Sequence, residues 1–497
     1  MALPLREAFV ETLIQLTLAE DGQLLVPQPF RRTFRAAAGI VKKMELAQAT
    51  VDILLTHAYF LARDPHEQEL MRPFPPLGLQ YLVAYLRREG VSAEMLDHTF
   101  VDGPEGFGAA LDELSPRVVG FYGHTITRPT TAGMVAAAKA RGCLVVAGGP
   151  DPVQYLHEYF AMGVDVVVVG EGEVTLHAVV ESARAHRWTL DPLALDRIDG
   201  IAFCRDGVVV RTRPRPLLRP LDTLPWPHRE RRDLEAYFAA WRARHGETAL
   251  SLTTSRGCPF HCTWCSKQVY GDTFRRRDVD AVIDEMLALC REYHPDQLWF
   301  VDDMFTLNRK WVERFCARVV ERRAQVPFYV IGRAETLDPP LCRALKEAGC
   351  YRVYVSAESG ADHVLEAMVK GTTVAEIHAA AENLRAAGIE MGAFVMLGYP
   401  GESKRDIIAT VDMLRRLDPA VALVSVAHPM KGTAFYDAVA DRVHGEHGGR
   451  LLFDMPCRPR VYAAAQRLIW ADRRRRREPG LAAEARYALW KGLFAVS

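Results

Sequence analysis

Five short apolar runs punctuate the chain between residues 51 and 188. They are VDILLTH from Val51, VSAEML from Val91, RVVGFY from Arg117, CLVVAGG from Cys143 and VDVVVVG from Val164. Runs of this length, rich in Val, Ile and Leu, read as buried strands. Between them lie stretches with helical spacing: PPLGLQYLVAYLRREG, which stops at Gly90, then TTAGMVAAAKARG and, after the last strand, VTLHAVVESARA. Alternating strands and helices predict a parallel sheet with right-handed crossovers. The fold class is therefore α/β, and residues 50–188 are expected to form a Rossmann-like, doubly wound domain. Alternation resumes at Ala249. ALSLTTS, QLWFVDD, FYVIGRAE, RVYVSAESG, MGAFVMLG and ALVSVAH read as six strands. They predict an open, partial (β/α)6 barrel over 248–440, with chemistry at the C-terminal ends of its strands.

The flanks are plainer. Leu5, Phe9, Leu13 and Leu16 have helical spacing, so 1–49 reads as a helical extension. Residues 189–247 read as a linker with a small hairpin turning at Asp206-Gly207, followed by the Pro-rich PLDTLPWPH. Residues 441–497 read as a helical tail. Its run Arg473 to Arg477 is expected to be a solvated helix face, with a site for an acidic partner as the sharper alternative. Trp226, Tyr237, Trp241 and Trp470 are expected to pack in cores rather than line a pocket.

Composition narrows the function classes. The chain has 497 residues, more than one ordinary core holds, and its 49% apolar and 25% charged content is that of a globular protein. Lys+Arg and Asp+Glu are both 62, which gives no general reason to expect nucleic-acid binding. Arg6, Glu7 and Glu11 interrupt the N-terminal apolar residues, so neither a signal peptide nor a membrane span is expected there, and a cytoplasmic location follows as the default.

Ten cysteines are present. Seven are scattered, at 143, 204, 290, 316, 342, 350 and 457, and are expected to act as small buried hydrophobes. The other three fall in TTSRGCPFHCTWCSKQVYG as Cys-x3-Cys-x2-Cys: Cys258, Cys262 and Cys265. Three close thiolates can wrap one face of a cubic iron–sulfur cluster, leaving its fourth iron open to a ligand. Zinc is the competing reading, with His261 inside the loop, but structural zinc usually takes four ligands in two pairs.

Cysteines at this spacing, after the first strand of an open barrel and with Trp264 before the third, resemble those of the radical S-adenosylmethionine (SAM) enzymes. LWFVDDMFTLNRKWVERFC, GRAETLDPPLCRALKEAGCYRVYVSAESG and MGAFVMLGYPGES are similar to a particular subgroup. It contains anaerobic magnesium-protoporphyrin ester cyclase and cobalamin-dependent methylases, and the likeness spans about 50–435. The resemblance implies a 4Fe–4S cluster whose open iron chelates the methionine moiety of SAM. Reductive cleavage then yields a 5′-deoxyadenosyl radical that takes a hydrogen atom from a small-molecule substrate. The electron comes from an external donor such as flavodoxin or ferredoxin. The resemblance also implies SAM contacts for Asp302 and Asp303 at strand two, Arg333 at strand three, Glu358 and Ser359 at strand four, and Gly398 and Tyr399 at strand five. Simpler roles compete: a helix cap for Asp303, a structural ion pair for Glu358, a turn for Gly398.

The first domain lacks the Gly-x-Gly-x-x-Gly of nicotinamide folds after its first strand. PPLGLQYLVAYLRREG, the GGP at 148–150 and VVVGEGE instead look like the cobalamin-binding domains fused to radical barrels. That resemblance implies cobalamin, with its nucleotide tail near Gly123, Thr125, Gly148, Gly149, Gly170 and Gly172. No Asp-x-His-x-x-Gly is present, and neither His57 nor His124 is expected to ligate cobalt. The leading functional reading is methylation of an unactivated carbon. A cyclase-like oxidation or ring rearrangement is the second, and a non-catalytic cobalamin or cluster sensor the third.

Overall fold

In the computed structural model, residues 51–267 and 269–496 are described. The helical extension expected over 1–49 lies outside them.

The first sheet is built from β1 (Ile53–His57), β2 (Ala93–Leu96), β3 (Val118–Tyr122), β4 (Leu144–Gly148) and β5 (Val166–Val168). These five pair in parallel in the order β2-β1-β3-β4-β5. Helices cover both faces, so Val118, Val119, Val145, Val166 and Val167 are wholly buried, which explains the unbroken apolar runs. β6 (Ile201–Arg205) and β7 (Val208–Arg211) then extend this sheet, β6 antiparallel to β5 and β7 antiparallel to β6. The hairpin expected within a linker is thus part of the first domain. Ile201, Ala202 and Phe203 are buried against β5 and its helices, and that contact is invisible in a local pattern. The rest of 189–247 is not a draped linker either. The helix Arg231–His245 buries Leu234, Tyr237, Phe238 and Trp241.

The second sheet contains β8 (Ala249–Leu252), followed by a two-residue clasp of β9 (Ser255–Arg256) and β10 (Arg275–Arg276) that lies outside it. β11 (Gln297–Phe300), β12 (Phe328–Gly332), β13 (Cys350–Glu358), β14 (Glu390–Leu397) and β15 (Val421–Val426) complete six parallel strands, in the order β15-β14-β13-β12-β11-β8. This is the open half-barrel that the six apolar runs predict. Leu298, Phe300, Phe328, Val330, Val353 and Val355 anchor its core.

The C-terminal region is not purely helical. β16 (Val443–His447) and β17 (Arg450–Phe453) form a hairpin around Gly448-Gly449 before the helices Pro459–Arg477 and Leu481–Val496. The arginine run is partly solvated, with Arg474, Arg476 and Arg477 exposed, and partly bonded to the protein. Arg473 and Arg477 donate to Pro419 O at 3.2 and 3.0 Å, and Arg476 pairs with Asp418 at 2.7 Å. Tyr237 and Trp241 are core residues as expected, whereas Trp226 and Trp470 are exposed. Of the scattered cysteines, 143, 316, 342 and 350 are buried, 290 and 457 are half-buried and Cys204 is exposed on β6. No described helix is long and apolar enough to cross a membrane.

Candidate functional site

The cysteine loop leaves β8 and is pinched at its neck, where Arg256 of β9 pairs with Arg275 of β10. Gly257 follows at φ +84, and a Cβ there would overlap the carbonyl of Thr273, so only glycine fits the neck. Cys258, Cys262 and Cys265 lie beyond it as half-buried free thiols. Burial pushes the Cys265 thiol up to about 11, with Cys262, Asp303 and Cys258 adding to the effect, and Cys258 is raised likewise. Ionised for ligation, thiolates this crowded would need the positive charge of the irons they hold. Among the described residues, no three Cys, His, Asp or Glu converge as one metal ion requires. A four-iron cube takes one thiolate per iron and needs no such convergence, so the donor set fits the cluster. His261 Nδ1 faces Lys267 Nζ at 3.5 Å, and among the described residues its ring joins no convergent set of metal-ligating side chains.

The strand-end residues divide into braces and open groups. Asp302, expected to touch SAM, is wholly committed to the loop. Its carboxylate accepts from Thr254 N at 2.6 Å, Ser255 N at 3.0 Å and Thr253 Oγ1 at 3.1 Å, and from the Thr254 hydroxyl. Arg276 adds an ion pair at 3.5 Å. Asp303 accepts from the Gly257 amide and faces Cys258 and Cys265. Burial and the Asp302 charge raise its pKa. It is not a helix cap, because Asn308 caps the following helix. Arg333 is also a brace. It pairs with Glu335, donates to Lys370 O at 2.5 Å and Gly371 O at 3.0 Å, and lies 3.7 Å over the Phe260 ring.

Glu358 ends β13 at φ +55, a conformation that costs a non-glycine residue energy. It is buried, which raises its pKa, and Lys370 Nζ stands 3.5 Å away. Lys370 also lies 5.7 Å over Trp264, so one cation touches the cysteine loop and the β13 end. Ser359 is buried beside Glu358 and accepts from Ala361 N at 3.3 Å. The Tyr399 hydroxyl meets Thr263 Oγ1 at 2.5 Å, tying the β14 end to the loop between its second and third cysteines. At Gly398 (φ +86) a Cβ would overlap Met455, so this glycine answers to C-terminal packing. Two buried polar atoms remain without partners here, Trp264 Nε1 and Glu402 Oε1. Burial pushes Glu402 up to about 7, though its other oxygen accepts from Gly398 N. Orphans of this kind are rare in a finished interior and suit a polar ligand such as SAM.

In the first domain, Gly148 and Gly170 leave the space a cofactor tail would fill. A Cβ would meet only Val168 Cβ and Val269 O respectively, each at 3.7 Å. Gly123 is instead hemmed in by Pro152 at 2.5 Å, and Gly149 (φ +99) by the Gly123 carbonyl at 2.8 Å and Tyr122, both packing reasons, whereas a Cβ on Gly172 would meet only the tip of Leu82 at 3.0 Å. Thr125, the remaining residue expected along the tail, lies beside the C-terminal hairpin, where a Cβ on Gly449 would overlap its carbonyl. His57 is spent on structure: Nε2 bonds Asp97 at 2.9 Å, and Nδ1 accepts from Tyr59 N at 3.1 Å. His124, just past the end of β3, has its pKa lowered by burial of its ring.

Sequence reasoning missed the residues that join the two sheets. Glu171, within the GEGE run, accepts from Arg256 at 2.8 Å and Arg275 at 2.7 Å, and Glu173 accepts from Arg256 at 2.5 Å. All four are buried. They fix the neck of the cysteine loop onto the C-terminal end of β5. The only local signal was two acids within a glycine-rich stretch, and nothing in it identifies their partners. Tyr122 at the end of β3 faces Tyr270 of the loop. It is 39% exposed, yet burial pushes its phenol up to about 12.

A radical SAM superfamily model matches residues 252–414, and a B12 binding domain model matches 70–180. The chain is 30% identical to an uncharacterised methyltransferase of Pyrococcus horikoshii, over 74% of this chain and 79% of that one. It is 25% identical to an anaerobic magnesium-protoporphyrin IX monomethyl ester cyclase of Synechocystis, over 78% of this chain and 76% of that one. The structure of the radical SAM methyltransferase TsrM from Kitasatospora setae, with cobalamin and a [4Fe-4S] cluster bound, superposes with a TM-score of 0.66 at 19% identity. It covers 79% of this chain and 75% of that one. That last likeness is one of fold.

Proposed function

Since the chain belongs to the radical SAM superfamily, in the cobalamin-dependent methyltransferase family whose B12-binding domain precedes the barrel, we propose that it methylates an unactivated carbon of a small molecule. The cofactors of this family are a 4Fe–4S cluster, SAM and cobalamin. When bound, they supply a hydrogen-abstracting radical and a transferable methyl group.

The chain's own residues prepare the site. Cys258, Cys262 and Cys265 would hold three irons, and Asp303 stands beside them at the neck. Glu358, Ser359, Tyr399, Trp264 and Glu402 would meet SAM with carboxylates, hydroxyls and an indole N–H. Gly148, Gly170 and Thr125 would receive the cobalamin tail. Asp302, Arg333 and the Glu171–Arg256–Glu173–Arg275 group hold the loop in position before any ligand arrives, which lowers the cost of ordering it on binding.

One observation carries the reading. The loop that bears the cysteines packs on the strand ends that bear the cofactor glycines, with Val269 O against Gly170 and Tyr270 beside Tyr122. Both reactive centres would then open onto one cleft, as carbon methylation requires. A cyclase-like oxidation is the second reading, favoured by the cyclase relatives. Anaerobic turnover with dithionite, or with flavodoxin or ferredoxin as donor, separates the two. Equal yields of 5′-deoxyadenosine and S-adenosylhomocysteine are expected for methylation; 5′-deoxyadenosine without S-adenosylhomocysteine would give the reaction to the cyclase class.

A further inference from the structure

Thr263 stands between the second and third cysteines of the loop, and each of its polar groups is bonded. Its amide donates to Met368 O at 3.0 Å, and its carbonyl accepts from Phe435 N at 2.9 Å. Its hydroxyl meets Met368 O at 3.3 Å and the Tyr399 hydroxyl at 2.5 Å. The Tyr399 hydroxyl also reaches Ala367 O at 3.2 Å. These partners follow β13, β14 and β15 in the chain, so the last three strands of the half-barrel all grip the cysteine loop at one residue.

Two of the grips come from helix ends. Phe435 lies in the first turn of the helix Ala434–Val439, where amides lack acceptors within the helix, and the Thr263 carbonyl takes one up. Met368 ends the helix Asp362–Ala367. The chain closes there with Val369 N on Glu366 O at 2.9 Å and Lys370 N on Leu365 O at 3.0 Å, a cap that usually has glycine at its left-handed position. Here Val369 occupies that position at φ +52. A β-branched residue keeps such a conformation only where its surroundings over-determine it. The Val369 side chain is 53% exposed, so its own packing does not fix the cap. The neighbouring carbonyls do. Ala367 accepts from Tyr399, Met368 from Thr263, and Lys370 and Gly371 from Arg333 at 2.5 and 3.0 Å.

The cysteines on either side of Thr263 are the ends of one turn. Cys265 N donates to Cys262 O at 3.1 Å, with Thr263 and Trp264 at the corners. Such a turn holds its first and fourth Cα atoms within about 7 Å. Between Cys258 and Cys262 the loop is freer. The Phe260 ring lies under Arg333, but Pro259 and His261 are exposed, and the amides of His261 and Cys262 bond to no other described residue.

We propose that Thr263 is a positioning residue for the cluster: seated on the Val369 cap, it keeps the Cys262–Cys265 turn in its ligating form before iron arrives, and Cys258 closes on the cluster afterwards. A preformed turn has less to order on binding and releases its ligand more slowly. The inference rests on the cluster and not on the fate of the substrate, so it fails separately from the methylation reading.

Iron release from the cluster-reconstituted, cobalamin-loaded protein is followed anaerobically with the ferrous chelator bathophenanthroline disulfonate. Thr263→Val keeps the shape and removes the hydroxyl. It should lose iron about two- to tenfold faster, the ratio set by one ordinary hydrogen bond. Thr263→Ser keeps the hydroxyl and should release iron at the wild-type rate. Release from Thr263→Val at the wild-type rate overturns the proposal. So does release from Thr263→Ser as fast as from Thr263→Val, because a contact that the hydroxyl does not restore is structural only. Hydrogen exchange of the full wild-type chain before reconstitution, resolved to single amides by fragmentation, needs no variant. The Thr263 and Cys265 amides should be protected, and those of His261 and Cys262 should exchange freely. Equally fast exchange at all four overturns the preformed turn.

Discussion

Truncating Glu171 to Ala should loosen the seam on which the cysteine loop depends. The Glu171 carboxylate accepts three hydrogen bonds, from Arg256 at 2.8 Å, Arg275 at 2.7 Å and Leu218 N at 2.9 Å. Although burial works against its charge, these contacts hold its pKa below the usual value. The arginine side chains are only 4% and 3% exposed, so neither can turn to water when the carboxylate is lost. Arg256 would keep Glu173. Arg275 would keep only Leu218 O at 3.1 Å, and its Nε and Nη2 already lack partners. Removing one partner of a buried pair costs about 3–5 kcal/mol, against a typical total of about 5–15 kcal/mol. The assay is urea unfolding followed by tryptophan fluorescence, with hydrogen exchange over 255–276 as the local readout. Glu171→Ala should unfold at much lower urea and lose protection in the loop neck first. High salt should not abolish the difference, because buried pairs are poorly screened. Glu171→Leu combined with Arg275→Met should recover much of the loss, since apolar side chains can replace a buried pair. A Glu171→Ala deficit below about 1 kcal/mol, the range of an exposed pair, would refute the reasoning.

Other outcomes follow from the same contacts. Burial acts to raise Asp97, but His57, Tyr237 and the Thr99 amide outweigh it and hold the carboxyl at about 2 instead of 3.8. A depressed folded pKa gives stability that is complete above pH 4 and lost as pH falls towards 2, about 2.5 kcal/mol here; acid titration of Asp97→Asn should lack that loss. Gly398→Ala must adopt φ +86 and push into Met455, and should lower stability by about 2–4 kcal/mol in a thermal melt. Met455→Ala should relieve the clash in that variant but not the backbone strain. Lys370→Met leaves Glu358 buried without its cation and should weaken SAM binding at least about tenfold in equilibrium dialysis, while Lys370→Arg retains most of it; equal affinity in all three proteins would remove Glu358 from the SAM site.

What could be read from the chain alone was whatever is written locally. Strands such as Val118–Tyr122 and Leu144–Gly148 are covered on both faces, so burial writes itself as an unbroken apolar run. The cysteine spacing is equally local, because one loop supplies all three thiols. Contacts between distant segments left no such mark. The resemblance implied a SAM contact for Asp302, yet its oxygens are consumed by the backbone and hydroxyls of 253–255. The resemblance implied a cofactor contact for Gly123, but Pro152 at 2.5 Å is what forbids a side chain there. The same limit hid the docking of β6 beside β5 and the pairing of Glu171 with two arginines about 85 and 104 residues away.

The central claim is that one chain carries two separable cofactor sites opening onto a shared cleft. Anaerobic reconstitution of wild type and Cys262→Ala with iron, sulfide and hydroxocobalamin, followed by gel filtration and assay for 5′-deoxyadenosine, tests it most directly. Wild type should retain cobalamin together with a four-iron cluster and cleave SAM. Cys262→Ala should keep the cobalamin and lose both the cluster absorbance and the cleavage. A Cys262→Ala protein that still forms 5′-deoxyadenosine, or a wild type that retains no cobalamin, would contradict the account.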